Sequence, residues 1–234
     1  MKFAKNGVKL TLRSSGTPRK MRNQLEKLRS DFMKKAMILS ALLTMVLALQ
    51  GAETKLPVPV KNGGMTLNEA LNARKTIRKY KADMLTMQQI SQLFWSAFGV
   101  NRADGKRTAP TARNCQEITL YMLTAKGAWA YAAKENKMIQ VSTKDLRSNA
   151  GRFAAPIYIV IVSNSKLSGA TPRALHYAAM DVGYVSQNIY LAAAAMKLGT
   201  CAIGSIPKPA VLAKELKLTQ SEKVLLTHSV GIPK

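Results

Sequence analysis

Two cysteines and two histidines in 234 residues leave little room for metal or disulfide chemistry. Cys115 and Cys201 exclude a disulfide-rich scaffold and a four-cysteine zinc site, and His176 and His228 are too few for a histidine-rich metal centre. Acids are scarce as well: 12 Asp and Glu stand against 36 Lys and Arg, a formal net charge of +24. That balance raises nucleic acid or an anionic membrane as a partner. Zinc spacing, RNA-binding aromatic signatures and a recognisable helix-turn-helix are all missing, and past residue 52 there is no dense basic run. Charge alone is sequence-independent electrostatics, so no nucleic-acid partner is expected. Internal repeats are absent too.

What is present is enough length and apolar content for one good-sized domain plus a tail. Residues 1–32 are polar and basic; residues 1–52 hold 11 Lys/Arg against two acids. Met33-Lys34-Lys35 then precedes the apolar run Ala36 to Leu49, with small residues at Gly51-Ala52. This is the layout of a secretory signal peptide over 33–52, and the run is short for a transmembrane helix. A signal starting at Met33 makes residues 1–32 a basic extension behind a misassigned start. The expected product is exported and periplasmic; a buried helix or an uncleaved anchor are the competing readings of the same run, and without a signal the chain is cytoplasmic. Residues 53–65, rich in Pro and Gly, read as a linker, and 66–234 as the folded domain.

Within that domain, Thr66-x-x-Glu69 and Thr86-x-x-Gln89 are capping-box patterns. The second predicts a helix from Met87 to Phe98, with Ile90, Leu93, Phe94, Ala97 and Phe98 on one face and Gly99 at its end. Ile118 to Thr124 and Ala128 to Ala132 read as a hairpin, and Met138 to Val141 as a third short strand. Pro156 to Val162 reads as a central strand buried on both faces. Pro172 to Leu198 carries the longest helical pattern, followed by a helix from Pro209 to Leu216 and a last strand from Lys223 to Val230. Helices and strands interleave irregularly, which points to an α+β fold.

Three segments could carry chemistry. Arg74, Lys75, Thr76 and Arg78 place cationic donors and a hydroxyl at a helix end, which suits a phosphate monoester and equally a solvated basic turn. Thr111, Arg113, Asn114 and Gln116 lie in a loop whose amide side chains, Asn114 first, could match the alternating donors and acceptors of a flavin ring edge, or serve ordinary turn chemistry. Leu198 to Gly204 (LGTCAIG) would let backbone approach a flat ligand closely through its glycines. Asp181, inside an apolar helix, must be hydrogen-bonded, paired or at a wet edge, and a structural role is expected. His176 and Tyr177 are weak acid–base candidates. Neither cysteine has a neighbouring His to activate it.

The Arg74/Arg78 turn, the Ala109 to Asn114 loop (APTARN) and the segment Asp181 to Gly204 (DVGYVSQNIYLAAAAMKLGTCAIG) together resemble the nitroreductase-like FMN-dependent oxidoreductases. The stretch from Leu93 to Leu123 is similar to the branch that includes the SagB-type dehydrogenases and azoline oxidases. The resemblance covers Thr66 to Pro233. It implies an α+β fold with a central, mostly antiparallel sheet between helices, and a homodimer with FMN at the subunit boundary. It further implies that Arg74, Lys75 and Thr76 hold the FMN phosphate and that Arg78 lies near the pyrimidine side of the ring. Thr111, Ala112 and Asn114 would contact ring or ribityl chain, and Ile203-Gly204 would line the ring's other side. The chemistry implied is hydride transfer through flavin N5, from NAD(P)H or another reductant, to an electron-poor small molecule such as a nitro compound or quinone. No dedicated catalytic side chain is needed. Two departures stand out. The azoline oxidases carry a Lys-Tyr pair before the long helix, where the short approach here reads Pro172 to Tyr177 (PRALHY), which weighs against peptide azoline oxidation. The sequence stops at Lys234 where many relatives continue with a basic tail, making Lys234 the candidate substitute. The alternative function is a non-catalytic flavin- or anion-binding module on the same fold.

Overall fold

Two threonines start the first two helices. Thr66 and Thr86 each accept the N3 backbone N–H while the N3 side chain, Glu69 or Gln89, accepts the cap N–H in return. The computed structural model describes residues 32–33 and 52–234, so the expected basic extension (1–32) and signal segment (33–52) fall almost wholly outside the described residues. Helix α1 spans Leu67–Ala73 and α2 spans Met87–Phe98, stopping at Gly99. The five apolar positions predicted for one face of α2 are all buried.

Among the described residues, seven strands form one sheet: β1 (Glu53–Lys55), β2 (Ile118–Thr124), β3 (Gly127–Ala132), β4 (Lys137–Ser142), β5 (Ile157–Asn164), β6 (Gly199–Ile203) and β7 (Glu222–Gly231). Their order is β1-β4-β3-β2-β5-β7-β6, and every paired neighbour is antiparallel. The long helix is α5 (Pro172–Ala195), and three short ones complete the set: α3 (Arg147–Ala150), α4 (Ser165–Ser168) and α6 (Pro209–Glu215). The fold is therefore α+β, a central antiparallel sheet flanked by helices.

Strand β5 divides the core. Ile157, Ile159 and Ile161 pack on one face with Leu93, Phe94, Val185 and Ile189 of α2 and α5. Tyr158, Val160 and Val162 pack on the other with Ala150, Leu212 and Leu216 of α3 and α6. Because successive strand residues point to opposite faces, a β-branched run without polar alternation suits a strand covered on both sides.

Two expectations need correction. Residues 53–65 are not a free linker, because Glu53 and Lys55 pair with Ile139 and Lys137, Leu56 is buried, and Ser91 Oγ donates to Pro57 O. Prolines and glycines signal a break in regular structure, not a break in packing. The helical pattern expected to reach Leu198 stops earlier, and most of Leu198 to Gly204 is a strand. Helix α5 ends at Ala195, Lys197 turns the chain through a left-handed conformation (φ 57°), and β6 begins at Gly199. Among the described residues, no helix is long and apolar enough to cross a membrane.

Phe94 is fully buried beside Tyr131, with ring centroids 5.4 Å apart. Phe94→Ala should lower unfolding stability by about 3–5 kcal/mol, read from urea denaturation midpoints at unchanged m-value.

Candidate functional site

One edge of the sheet is β6, and the basic segment that follows α1 lies against it. Ile77 N–H donates to Thr200 O at 3.0 Å, and Thr76 and Thr200 form a parallel bridge. The approach requires Gly199. A Cβ at that position would stand 2.7 Å from Ile77 Cγ2, well inside contact distance. Arg74, Lys75 and Thr76 are thereby held along the outside of the sheet edge.

Tyr190 of α5, not singled out from the sequence, ties this arrangement to the helix. Its hydroxyl accepts the Ala202 N–H (3.0 Å) and lies 3.1 Å from Thr76 Oγ1, while the Arg74 guanidinium sits 5.3 Å from its ring centroid. Behind it, the buried His228 ring packs edge-on at 5.3 Å. Thr200 Oγ1 donates its single hydrogen to Ser229 O (3.0 Å), so His228 Nδ1, 3.0 Å away, must be the donor to that oxygen. Nε2 then accepts from Ser186 Oγ at 2.8 Å. Both ring nitrogens are satisfied in the neutral form, and full burial lowers the imidazole pKa to about 3.

Further along β6 the edge opens into a cavity of about 270 Å³, lined by Arg78, Arg152, Phe153, Cys201, Ala202, Ile203, Gly204, Ser205 and Pro207. Three expected residues, Arg78, Ile203 and Gly204, meet here. Arg152 and Phe153 are additions; the only sequence signal was an arginine in a turn ahead of a strand. A Cβ on Gly204 would meet no atom within 4 Å, and its φ is not in the left-handed region. Nothing in this chain demands glycine there, so what the missing side chain leaves is space in front of the strand. A second cavity, about 730 Å³, shares Arg152 and Phe153 and adds Tyr80, Lys81, Arg147 and Lys234. Lys234 is held in place by its N–H to Lys79 O (3.3 Å), beside the first cavity and not within its lining.

The loop residues Thr111, Ala112 and Asn114 lie elsewhere on the protomer. Ala112 and Asn114 bound a single 3-10 turn, whose Ala112 N–H donates to Asp181 Oδ2 at 2.8 Å. Asp181 thus has the structural, hydrogen-bonded role expected of it. Arg113, Asn114 and Gln116 all have φ near +50° (55°, 55° and 49°). Non-glycine residues held left-handed cost of order 1 kcal/mol each and concentrate at ligand clamps. Thr111 Oγ1 accepts the Gln116 N–H (2.9 Å), Arg113 donates to Ser168 O (2.9 Å), and Gln116 Nε2 donates to Asn114 Oδ1 (3.2 Å). Asp181 and Tyr190 are nine residues apart on α5, about 14 Å along its axis at 1.5 Å per residue. The two groups of expected residues therefore do not converge within one protomer.

His176 and Tyr177 are on the first turns of α5, where Arg173 Nε donates to the Tyr177 hydroxyl (3.1 Å). They are remote along the helix from Tyr190 and the β6 cavity. Their side chains pack on the helix surface and do not line the cavity.

Comparisons with known proteins show the family and the fold. The model of the Nitroreductase family matches residues 71–232. A protein of Methanocaldococcus jannaschii assigned to the nitroreductases is 25% identical over 155 residues, covering 59% of this chain and 78% of its own. A crystal structure of a protein from Ralstonia eutropha JMP134, also assigned to the nitroreductases, superposes with a TM-score of 0.74 at 29% identity, covering 78% of this chain and 90% of the other. A third, from Anabaena variabilis ATCC 29413, shares the fold at 22% identity with a TM-score of 0.66, covering 79% of this chain and 42% of that longer one.

His228 makes stability pH-dependent. Its folded pKa lies below the ordinary 6.5, so the unfolded chain binds more protons as pH falls below 6.5, and stability is lost from there toward pH 3. Relative to His228→Gln, the wild-type protein should lose stability by up to about 1.4 kcal/mol per pH unit across that window. Denaturation midpoints of the two proteins at stepped pH read the difference.

Proposed function

Since the chain belongs to the nitroreductase family and is an oxidoreductase enzyme of the flavin type, we propose that it is an FMN-dependent oxidoreductase whose FMN lies at a homodimer boundary. The observation that carries this is the cradle at the β6 edge. Gly204 leaves open space before a strand, Arg78 and Arg152 stand beside it, and no carboxylate lines it. That set fits a flat ring whose charged parts are anionic. When bound, FMN supplies hydride and electron transfer through N5.

The chain's own residues would bind and orient it. Arg74, Lys75 and Thr76 would hold the phosphate, with Tyr190 fixing Thr76 and Arg74 against β6. Arg78 would face the pyrimidine side, where positive charge favours electron-rich states of the ring. Ile203 and Gly204 would line one face, and Lys234 would extend the cationic rim. The strained Thr111–Asn114 turn would contribute from the partner protomer, which is why the two groups can be far apart in one chain and close in the dimer.

The surface of α5 supports the dimer. Leu175, Met180 and Tyr184 are 44%, 45% and 49% exposed, unusual for large apolar side chains on a long central helix. Gly183 lies beside them with nothing within 4 Å of a built Cβ, although glycine in an exposed helix interior costs roughly 0.5–1 kcal/mol. Close approach of a second backbone gives that glycine a purpose. Reductant and acceptor would be small molecules: NAD(P)H or another reductant on one side, a nitro compound or quinone on the other. If the 33–52 segment exports the enzyme, a reductant other than NAD(P)H is favoured, because export removes the chain from the cytoplasmic pool.

The full chain, purified without added cofactor, should be yellow and release one FMN per protomer, whereas Gly204→Val and Arg74→Ala/Arg78→Ala should fold normally and be colourless. A wild-type protein that is colourless and refuses added FMN would leave the non-catalytic anion-binding module. Separately, Tyr184→Glu should shift the protein from dimer to monomer in sedimentation analysis and weaken FMN retention with it.

A further inference from the structure

Glu117, at the foot of β2, is 1% exposed, and both carboxyl oxygens are buried without a hydrogen-bond donor. An ionised carboxylate in that condition carries a large desolvation cost with nothing to offset it. The polar side chain within reach is Asp181, itself 3% exposed and itself an acceptor. Two carboxylates cannot bond to each other; a carboxylic acid and a carboxylate can. Asp181 already receives the Ala112 N–H on Oδ2, whereas no group outside its own backbone approaches either Glu117 oxygen as a donor.

We propose that Glu117 is a buried carboxylic acid whose proton bridges to Asp181, and that this shared proton positions the Ala112–Asn114 turn. The chain of contacts runs Glu117 O–H to Asp181, then Asp181 Oδ2 to Ala112 N–H, and so to the left-handed residues Arg113 and Asn114. Charged groups on the packed elements do not supply an alternative partner. Arg113, on the turn, donates to Ser168 O; Arg107 donates to Phe98 O and Gln116 Oε1. From β5, Asn164 reaches only the Glu117 backbone carbonyl, through its N–H at 3.0 Å. On α5 the group facing Glu117 is Asp181. Burial raises the Glu117 pKa above its ordinary 4.5, its own backbone N–H opposes that, and the nearby Asp181 carboxylate adds to the rise, so the net direction agrees with a retained proton. Glu117 and Asp181 are positioning residues, acting on the turn and not on substrate. The functional consequence rests on the reading of that turn as a flavin contact; the proton itself does not.

The sign of the linkage gives the test. A carboxyl group whose folded pKa is raised stabilises the fold below its unfolded pKa and loses that contribution as pH rises through the folded value. Glu117→Gln keeps a donor toward Asp181 and removes the titration. On the full-length protein, infrared spectra at neutral pH should show a protonated-carboxyl C=O stretch that is absent from Glu117→Gln. Wild-type Tm should fall with rising alkalinity relative to Glu117→Gln, and exchange of the Ala112 amide should accelerate in parallel. FMN release should follow the same pH course in wild type and stay level in the variant. An infrared band and a Tm profile unchanged by Glu117→Gln would overturn the proposal. Colourless protein with the infrared, Tm and exchange results intact would instead sink the flavin reading and leave the shared proton standing.

Discussion

The contact of Ile77 with Thr200 across Gly199 is the constraint on which the rest of the site depends. It places a run of arginine and lysine along a sheet edge that would otherwise present unpaired N–H and C=O groups. The pairing is short, so its persistence rests on what lies behind it. His228, Thr200, Ser186 and Ser229 form a buried polar layer between α5 and the β6–β7 pair, capped by the half-buried Tyr190, with each hydroxyl or ring nitrogen matched to a partner. A neutral imidazole at the centre suits this role, having one donor and one acceptor on opposite sides of a rigid ring. Tyr80, whose hydroxyl bonds Ile77 O and Ser229 Oγ, ties the basic segment to β7 as well.

Helix α5 connects everything else. Its buried face carries Val182, Val185 and Ile189 into the core, while Asp181 and Tyr190, from two separate turns, anchor two separate loops. A rigid helix can hold both at fixed separation where a loop could not. Its outer surface exposes Leu175, Met180 and Tyr184 with Gly183 beside them, which is what the proposed homodimer rests on. Fold, site and proposed assembly would in this sense be three uses of one element.

Much of the fold was legible in the sequence because its signals are local. Capping threonines, the two-sided β5 run and the α2 stripe depend on spacing within a few residues, and the helices and strands appear where those signals put them. The linker reading of 53–65 failed for an equally physical reason: β1 is three residues long and owes its existence to β4, more than eighty positions away. The site was only partly legible. Charge in Arg74, Lys75 and Arg78, and glycine at 204, were visible as types without partners. Tyr190 and Arg152 were not visible, since neither carries a pattern until the helix and the β5 approach are brought to the same edge. Glu117 was passed over because a single carboxylate before a strand is unremarkable until its burial is known.

The sequence by itself determined most of the elements, the exclusion of a disulfide-rich scaffold and a four-cysteine zinc site, and the family resemblance, all of which follow from residue type and short-range order. Only the tertiary structure decided which residues share a site. It sent Thr111, Ala112 and Asn114 to one part of α5 and Arg74, Thr76, Ile203 and Gly204 to another. It also decided which polar groups are buried, because desolvation is a property of what the whole chain packs around an atom and not of the atom's neighbours in sequence.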